Sequence, residues 1–149
     1  MLLKGADGTS FELRLRGWGP NNPDPNRHGE YDWLDVAFSA KSSSGGWGAE
    51  GELLTAEDVT ALAGWLEDVA AQEPHEHVLW FIEPEFRFKV LREAGDLVTL
   101  RVYLEYKGRP PWAPETNGDD FWIDLVLGRG DIPGAVASLR SELAAMRAR

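Results

Sequence analysis

Two histidines, His75 and His77, stand two residues apart around Glu76. On an extended segment positions i and i+2 share a face, so both imidazoles can approach one metal ion. No third ligand follows at a diagnostic spacing, and His28 lies far off in a loop-like stretch. The pair reads as a polar lead-in to a strand, and no metal is expected. Carboxylates also come in sets: Glu83 and Glu85 around Pro84, Glu50 with Glu52, and Asp119, Asp120 and Asp124. Two carboxylates at a defined separation in a sugar cleft hydrolyse glycosides, and seven tryptophans can supply stacking platforms. In a chain with 25 acidic residues, however, such neighbours also arise by chance. No serine sits in a strand-to-helix G-x-S-x-G elbow; Ser42, Ser43 and Ser44 read as turn residues. Gly17-Trp18-Gly19 runs into Pro20 with no helix behind it, so it is a turn and not a phosphate loop. No EF-hand ligand series is present, and the absence of cysteine removes disulfides, thiolate zinc sites and cysteine nucleophiles. The expectation is a protein without catalytic, cofactor-binding or metal-binding residues.

Charge is the strongest positive signal. Against the 25 acidic residues stand 15 basic ones, a formal net charge of −10 in 149 residues. Such a surface repels nucleic acid phosphates and anionic lipid headgroups, so neither nucleic acid nor membrane is an expected partner. A basic protein would be attracted and steered by the same field. The plainer alternative is that the charge only maintains solubility. No apolar run approaches the ~18 residues that span a bilayer. The apolar start at Met1-Leu2-Leu3 breaks after three residues, too short for a secretory signal, and a cytoplasmic location is expected.

The elements that must position any site follow from periodicity. Phe11, Leu13 and Leu15 alternate with Glu12, Arg14 and Arg16, which makes a strand with one wet face. Asn21 to Gly29 reads as loop. Trp33 to Lys41 and Trp47 to Leu53 flank a Ser/Gly turn and form a hairpin. Thr55 opens a helix with Asp58 in its first turn and an apolar stripe through Val59, Leu62, Ala63, Leu66 and Val69, ending before Pro74. His77 to Ile82 is nearly all apolar and reads as a strand buried on both faces. Phe86 to Val90 and Val98 to Leu104 form a second hairpin with opposite charges available across it. Lys107 to Asp120 is a long loop, Phe121 to Leu127 the last strand, and Asp131 caps a final helix. This order predicts an α+β fold: an antiparallel-dominated β-sheet of about six to seven strands with two helices packed on it. A chain of 149 residues is most simply one domain, 1–149.

Tryptophan is enriched at binding hot spots because it buries much area at small entropic cost. Trp65 and Trp80 sit in apolar segments and read as core, Trp33 and Trp122 as boundary residues. Trp112, between Pro111 and Ala113 in the long loop, is the best candidate for an exposed anchor; the alternative is that its loop folds back and buries it.

Several segments resemble the WapI-like immunity proteins. Phe11-Glu12-Leu13-Arg14-Leu15-Arg16-Gly17-Trp18 is similar to their opening strand, and Tyr31-Asp32-Trp33-Leu34-Asp35-Val36 to their second. Leu54-Thr55-Ala56-Glu57-Asp58-Val59, running on to Leu62 and Trp65-Leu66, resembles the helix that follows. Phe81-Ile82-Glu83-Pro84-Glu85-Phe86 resembles the glutamate-proline step before the next strand. The resemblance covers positions 10 to 127 and leaves out the Pro-rich loop at 107–120. It implies a protein that neutralises the toxic domain of a cell-contact toxin, often a nuclease, and it carries over no functional residue.

Two functions of different kind remain in view. The first is a non-enzymatic binding protein for a basic toxin domain, with Trp112, Glu115, Asp119 and Asp120 on the contact surface. The second is a small carbohydrate-binding or hydrolytic domain using exposed tryptophans and carboxylates, which requires a concave pocket with converging polar groups.

Overall fold

The alternating segments become strands, and the two 3.6-periodic stripes become helices. In a computed structural model describing residues 1–21, 32–113 and 119–148, the order is β1 (Leu2–Lys4), β2 (Ser10–Trp18), β3 (Trp33–Ser42), β4 (Gly45–Thr55), α1 (Ala56–Ala71), β5 (Val78–Trp80), β6 (Phe86–Ala94), β7 (Leu97–Leu104), β8 (Trp122–Gly128) and α2 (Ile132–Arg147). Short 3-10 turns occupy Tyr106–Gly108 and Arg129–Asp131. The α+β class and the antiparallel pairing hold. The strands number eight among the described residues and divide into two four-stranded sheets, β1-β2-β3-β4 and β5-β6-β7-β8, instead of forming one. The additional strand is β1, too short to show a period. It is held by its ladder to β2 and by the Met1 amino group donating to the Leu13 carbonyl at 2.8 Å.

Two sheets arise because α1 lies between β4 and β5 and carries the chain from one sheet to the other. Their inner faces share one apolar cluster with both helical stripes. Phe11 stacks on Phe38 at 6.1 Å and meets Phe86 and Phe88 edge-on at 5.7 and 5.6 Å, so β2 and β3 are joined to β6 through aromatic rings. Burying such side chains contributes about 1.5–3 kcal/mol each, which makes this contact the main glue between the sheets. At one side the Ala6 amide donates to Val126 of β8 at 3.2 Å. At the other, β4 and β5 remain as outer strands of their sheets.

Thr55 and Asp58 form the expected helix start as a reciprocal capping box: the Thr55 hydroxyl accepts from the Asp58 amide at 3.1 Å, and the Asp58 carboxylate accepts from the Thr55 amide at 3.0 Å. The helix ends at Gln72, in the left-handed region at φ 57°, ahead of Pro74. Asp131 does occupy the N-cap position of α2, but its side chain makes no capping bond, and proline in the first turn organises the start instead. Glu67 and Arg140 tie the helices together with bonds of 2.8 and 2.9 Å. Arg129, almost fully buried, donates to the Val69 carbonyl at 2.6 Å, to Gly95 at 2.8 Å and to Glu93 at 3.1 Å. One guanidinium therefore joins the end of α1 to the β6–β7 hairpin.

Two expectations are corrected here. The His77–Ile82 run is not a doubly buried strand. Only Val78–Trp80 pairs, at the edge of its sheet, and Trp80 is 67% exposed rather than core. The second hairpin forms, turning at Gly95 with φ 60°, but its facing charges are alike: Lys89 lies opposite Arg101. The acid that pairs with Arg101 comes from the next strand, Asp124 of β8, at 2.8 and 3.0 Å.

Candidate partner-binding surface

The outer face of the second sheet carries a row that crosses all four of its strands. Trp80 pairs in register with Arg87, Arg87 with Tyr103, and Tyr103 with Trp122. The Arg87 guanidinium lies 3.7 Å from the Tyr103 ring centroid and 4.8 Å from that of Trp80. Arg101, one position along the face, sits 4.4 Å over Trp122. Cation–π stacking of this kind holds both guanidiniums flat against the sheet and covers Tyr103, which is buried although it faces outward. Each arginine also has its own acid: Asp120 lies 3.4 Å from Arg87, and Asp124 holds Arg101 in two bonds that raise its pKa above the usual arginine value. The row thus presents aromatic surface whose positive charges are neutralised from within.

At one end of this face a groove of about 370 Å³ opens between the Ile82–Pro84 turn and the 3-10 turn at Tyr106. Trp80, Ile82 and Tyr106 border it with large exposed apolar surface, and Glu83, Asp119 and Asp120 supply carboxylates. Tyr106 stands at φ 51°, a conformation that costs a non-glycine residue about 1–2 kcal/mol. It is locked there by the Glu105 amide donating to Glu85, the Gly108 amide to Glu105 and the Arg109 amide to Tyr106 itself, at 2.9, 2.7 and 3.1 Å.

The ends of the long loop are buckled together. Arg109 donates to the Glu105 carboxylate at 3.0 Å, to the Ala113 carbonyl at 3.2 Å and to the Asp119 carbonyl. Glu105 in turn accepts from the Phe121 amide at 2.6 Å. Trp112 is exposed but propped from within. One edge meets the buried Trp47 ring at 5.4 Å while 45% of the residue stays exposed. Trp47 also touches Phe121 at 5.5 Å and donates its indole N–H to the Gly108 carbonyl at 2.8 Å, fastening β4 to the loop base. Of the four sequence-derived contact residues, Trp112, Asp119 and Asp120 therefore come together around one loop base. Glu115, like His28 and most of the Asn21–Gly29 loop, lies outside the described residues.

Outside the groove, the carboxylates that the sequence set in groups are occupied. Glu50 binds Arg16, and Glu52 accepts from the backbone and side chain of Asn21. Glu85 is the exception: it is only 8% exposed, its Oε2 has no hydrogen-bond partner, and burial raises its pKa. A depression of about 750 Å³ is lined by Asp7, Lys41, Ser42, Trp122 and Asp124 among others and is wide open to solvent. Its Asp7 accepts from the Thr9 amide at 3.0 Å, which lowers that carboxyl's pKa, and its Asp124 holds Arg101, so the two are not poised as an acid–base pair. His75 packs edge-on against Trp65 at 6.1 Å and lies 3.7 Å from Glu93. Among the described residues no cluster of three or more His, Asp or Glu is placed to hold a metal ion, and no helix is long and apolar enough to cross a membrane.

Sequence reasoning missed Trp80, Ile82, Tyr106 and the crossing row. The breakers Pro74 and Pro84 on either side of the apolar run were the available signal, since they leave room for only a short strand.

The scaffold is an α+β one of two antiparallel sheets, with aromatic rings and stacked arginines across one outer face. The model of the Immunity protein WapI-like family matches residues 1–147, and the chain belongs to that family. No curated protein and no solved structure matches it. Membership implies a protein toxin as partner, and proteins of this family generally act without catalysis.

Proposed function

We propose that this chain is a non-catalytic antidote that occupies the basic, nuclease-like face of a toxin domain in the cytoplasm. Family membership across residues 1–147 carries the reading, and the net charge of −10 supports the basic character of the partner. A nuclease holds phosphates with lysine and arginine, so an acidic inhibitor associates quickly with that face and excludes the nucleic acid. Trp112, Glu115, Asp119 and Asp120 form part of the contact. Arg109, which bonds the carbonyls of Ala113 and Asp119, fixes the loop ends that present Trp112 and the two aspartates.

The test pairs this protein with a candidate basic toxin domain, sought among the products of the genes beside its own. Co-expression restores growth, and the association rate falls steeply between low and high salt. Glu115→Gln, Asp119→Asn and Asp120→Asn together slow association about 10-fold or more. Unchanged rate and unchanged protection remove these residues from the contact surface.

A further inference from the structure

We propose that the groove between Trp80, Ile82 and Tyr106 receives a lysine or arginine side chain of the toxin domain, its hydrocarbon stem on the aromatic wall and its charge facing Glu83 and Asp119. This rests on the immunity reading and assigns it a specific anchor point. Four observations converge. The groove, at about 370 Å³, lies at the small end of the ~300–1,000 Å³ range of ligand pockets. Its border gathers three exposed large apolar side chains: Trp80 at 67%, Tyr106 at 57% and Ile82 at 47%. Tyr106 is held in a left-handed conformation at the rim, a strain of the kind that clusters at binding clamps.

The fourth observation decides the charge of the occupant. The cation beside the groove, Arg87, is already matched by Asp120 and stacked between Trp80 and Tyr103. Glu83 and the Asp119 side chain make no ion pair among the described residues. An apolar groove with two uncompensated carboxylates, in a chain of net charge −10, complements a long cationic side chain. Such side chains bury their stems on apolar surface while the charged head stays at the polar end. The Trp80 face away from Arg87 adds a cation–π platform.

The experiment uses the full chain and the toxin domain that the protection test above identifies. Trp80→Ala is expected to weaken binding about 30-fold, as truncation of a central tryptophan does. Glu83→Lys is expected to slow association about 10-fold and to reduce its salt dependence. Far-UV circular dichroism checks that both variants fold. Hydroxyl-radical footprinting of the unmodified pair supplies a readout free of substitutions, in which Trp80 is protected in the complex. If the toxin domain binds but both variants bind as tightly as the parent, or Trp80 oxidises equally in the complex, the groove is not the anchor and the immunity reading stands. If the unmodified chain does not bind the toxin domain at all, both fall together.

Discussion

Replacing Glu85 with glutamine should make the protein more stable at neutral pH. The Glu85 carboxyl is almost fully buried, Oε2 lacks any hydrogen-bond partner, and burial is the largest influence raising its pKa. The Glu83 charge pushes in the same direction, while the Glu85 backbone N–H and Lys107 oppose it. A buried polar atom left without a partner costs about 1–3 kcal/mol, more when it is charged. Because the folded pKa lies above the unfolded one, the protonated form favours folding. Stability from this group is fully present below the unfolded value near 4.5 and is lost as pH rises through the folded value. Glu85→Gln is therefore expected to gain about 1–2 kcal/mol at pH 7, roughly a 3–6 °C rise in Tm for a chain of this size. The advantage should shrink toward pH 4, where the parent protonates. Urea unfolding followed by tryptophan fluorescence at both pH values reads this, with Glu85→Met as a version that removes the polar atoms altogether. A loss of stability in both variants at pH 7 refutes the reasoning. It would mean that the attraction to Lys107 outweighs desolvation, and Lys107→Met would then destabilise by a similar amount.

Two further outcomes follow from the same accounting of buried charge. Arg129→Met leaves the Val69 and Gly95 carbonyls and Glu93 without their donor; it should cost about 3–5 kcal/mol in chemical denaturation. Arg109→Lys cannot serve Glu105, Ala113 and Asp119 together; hydrogen exchange at the Phe121 amide and proteolysis near the loop should accelerate about 10-fold while the sheet amides keep their protection.

What the sequence made readable was local. Alternation placed Phe11 and Leu13 on one face, and Thr55 with Asp58 in the first turn marked the helix start, because both depend on neighbours within a few residues. What it hid depends on partners distant in the chain. Lys89 and Arg101 face each other without an acid between them because Asp124 arrives from β8, 23 residues beyond Arg101. The division into two sheets is set by where α1 lands, which no strand's own pattern encodes. Trp80 looked interior because hydrophobicity does not reveal that a strand is at an edge with one face uncovered. The contact loop was legible as a loop from its prolines, but not its buckle: Arg109 and Glu105 are an unremarkable charged pair until Phe121 and Asp119 return to them.

The free margin of β4 has a consequence for the protein at high concentration. Among the described residues no strand pairs with that side of its eleven residues, and such a border is one on which a second copy can template itself. Glu50 and Glu52 sit midway along it, among four glycines that give a neighbour little to grip. Two such borders laid side by side would crowd four carboxylates into one seam. Glu50 and Glu52 are therefore expected to oppose edge-to-edge pairing, and replacing both with threonine is expected to raise light scattering at high concentration.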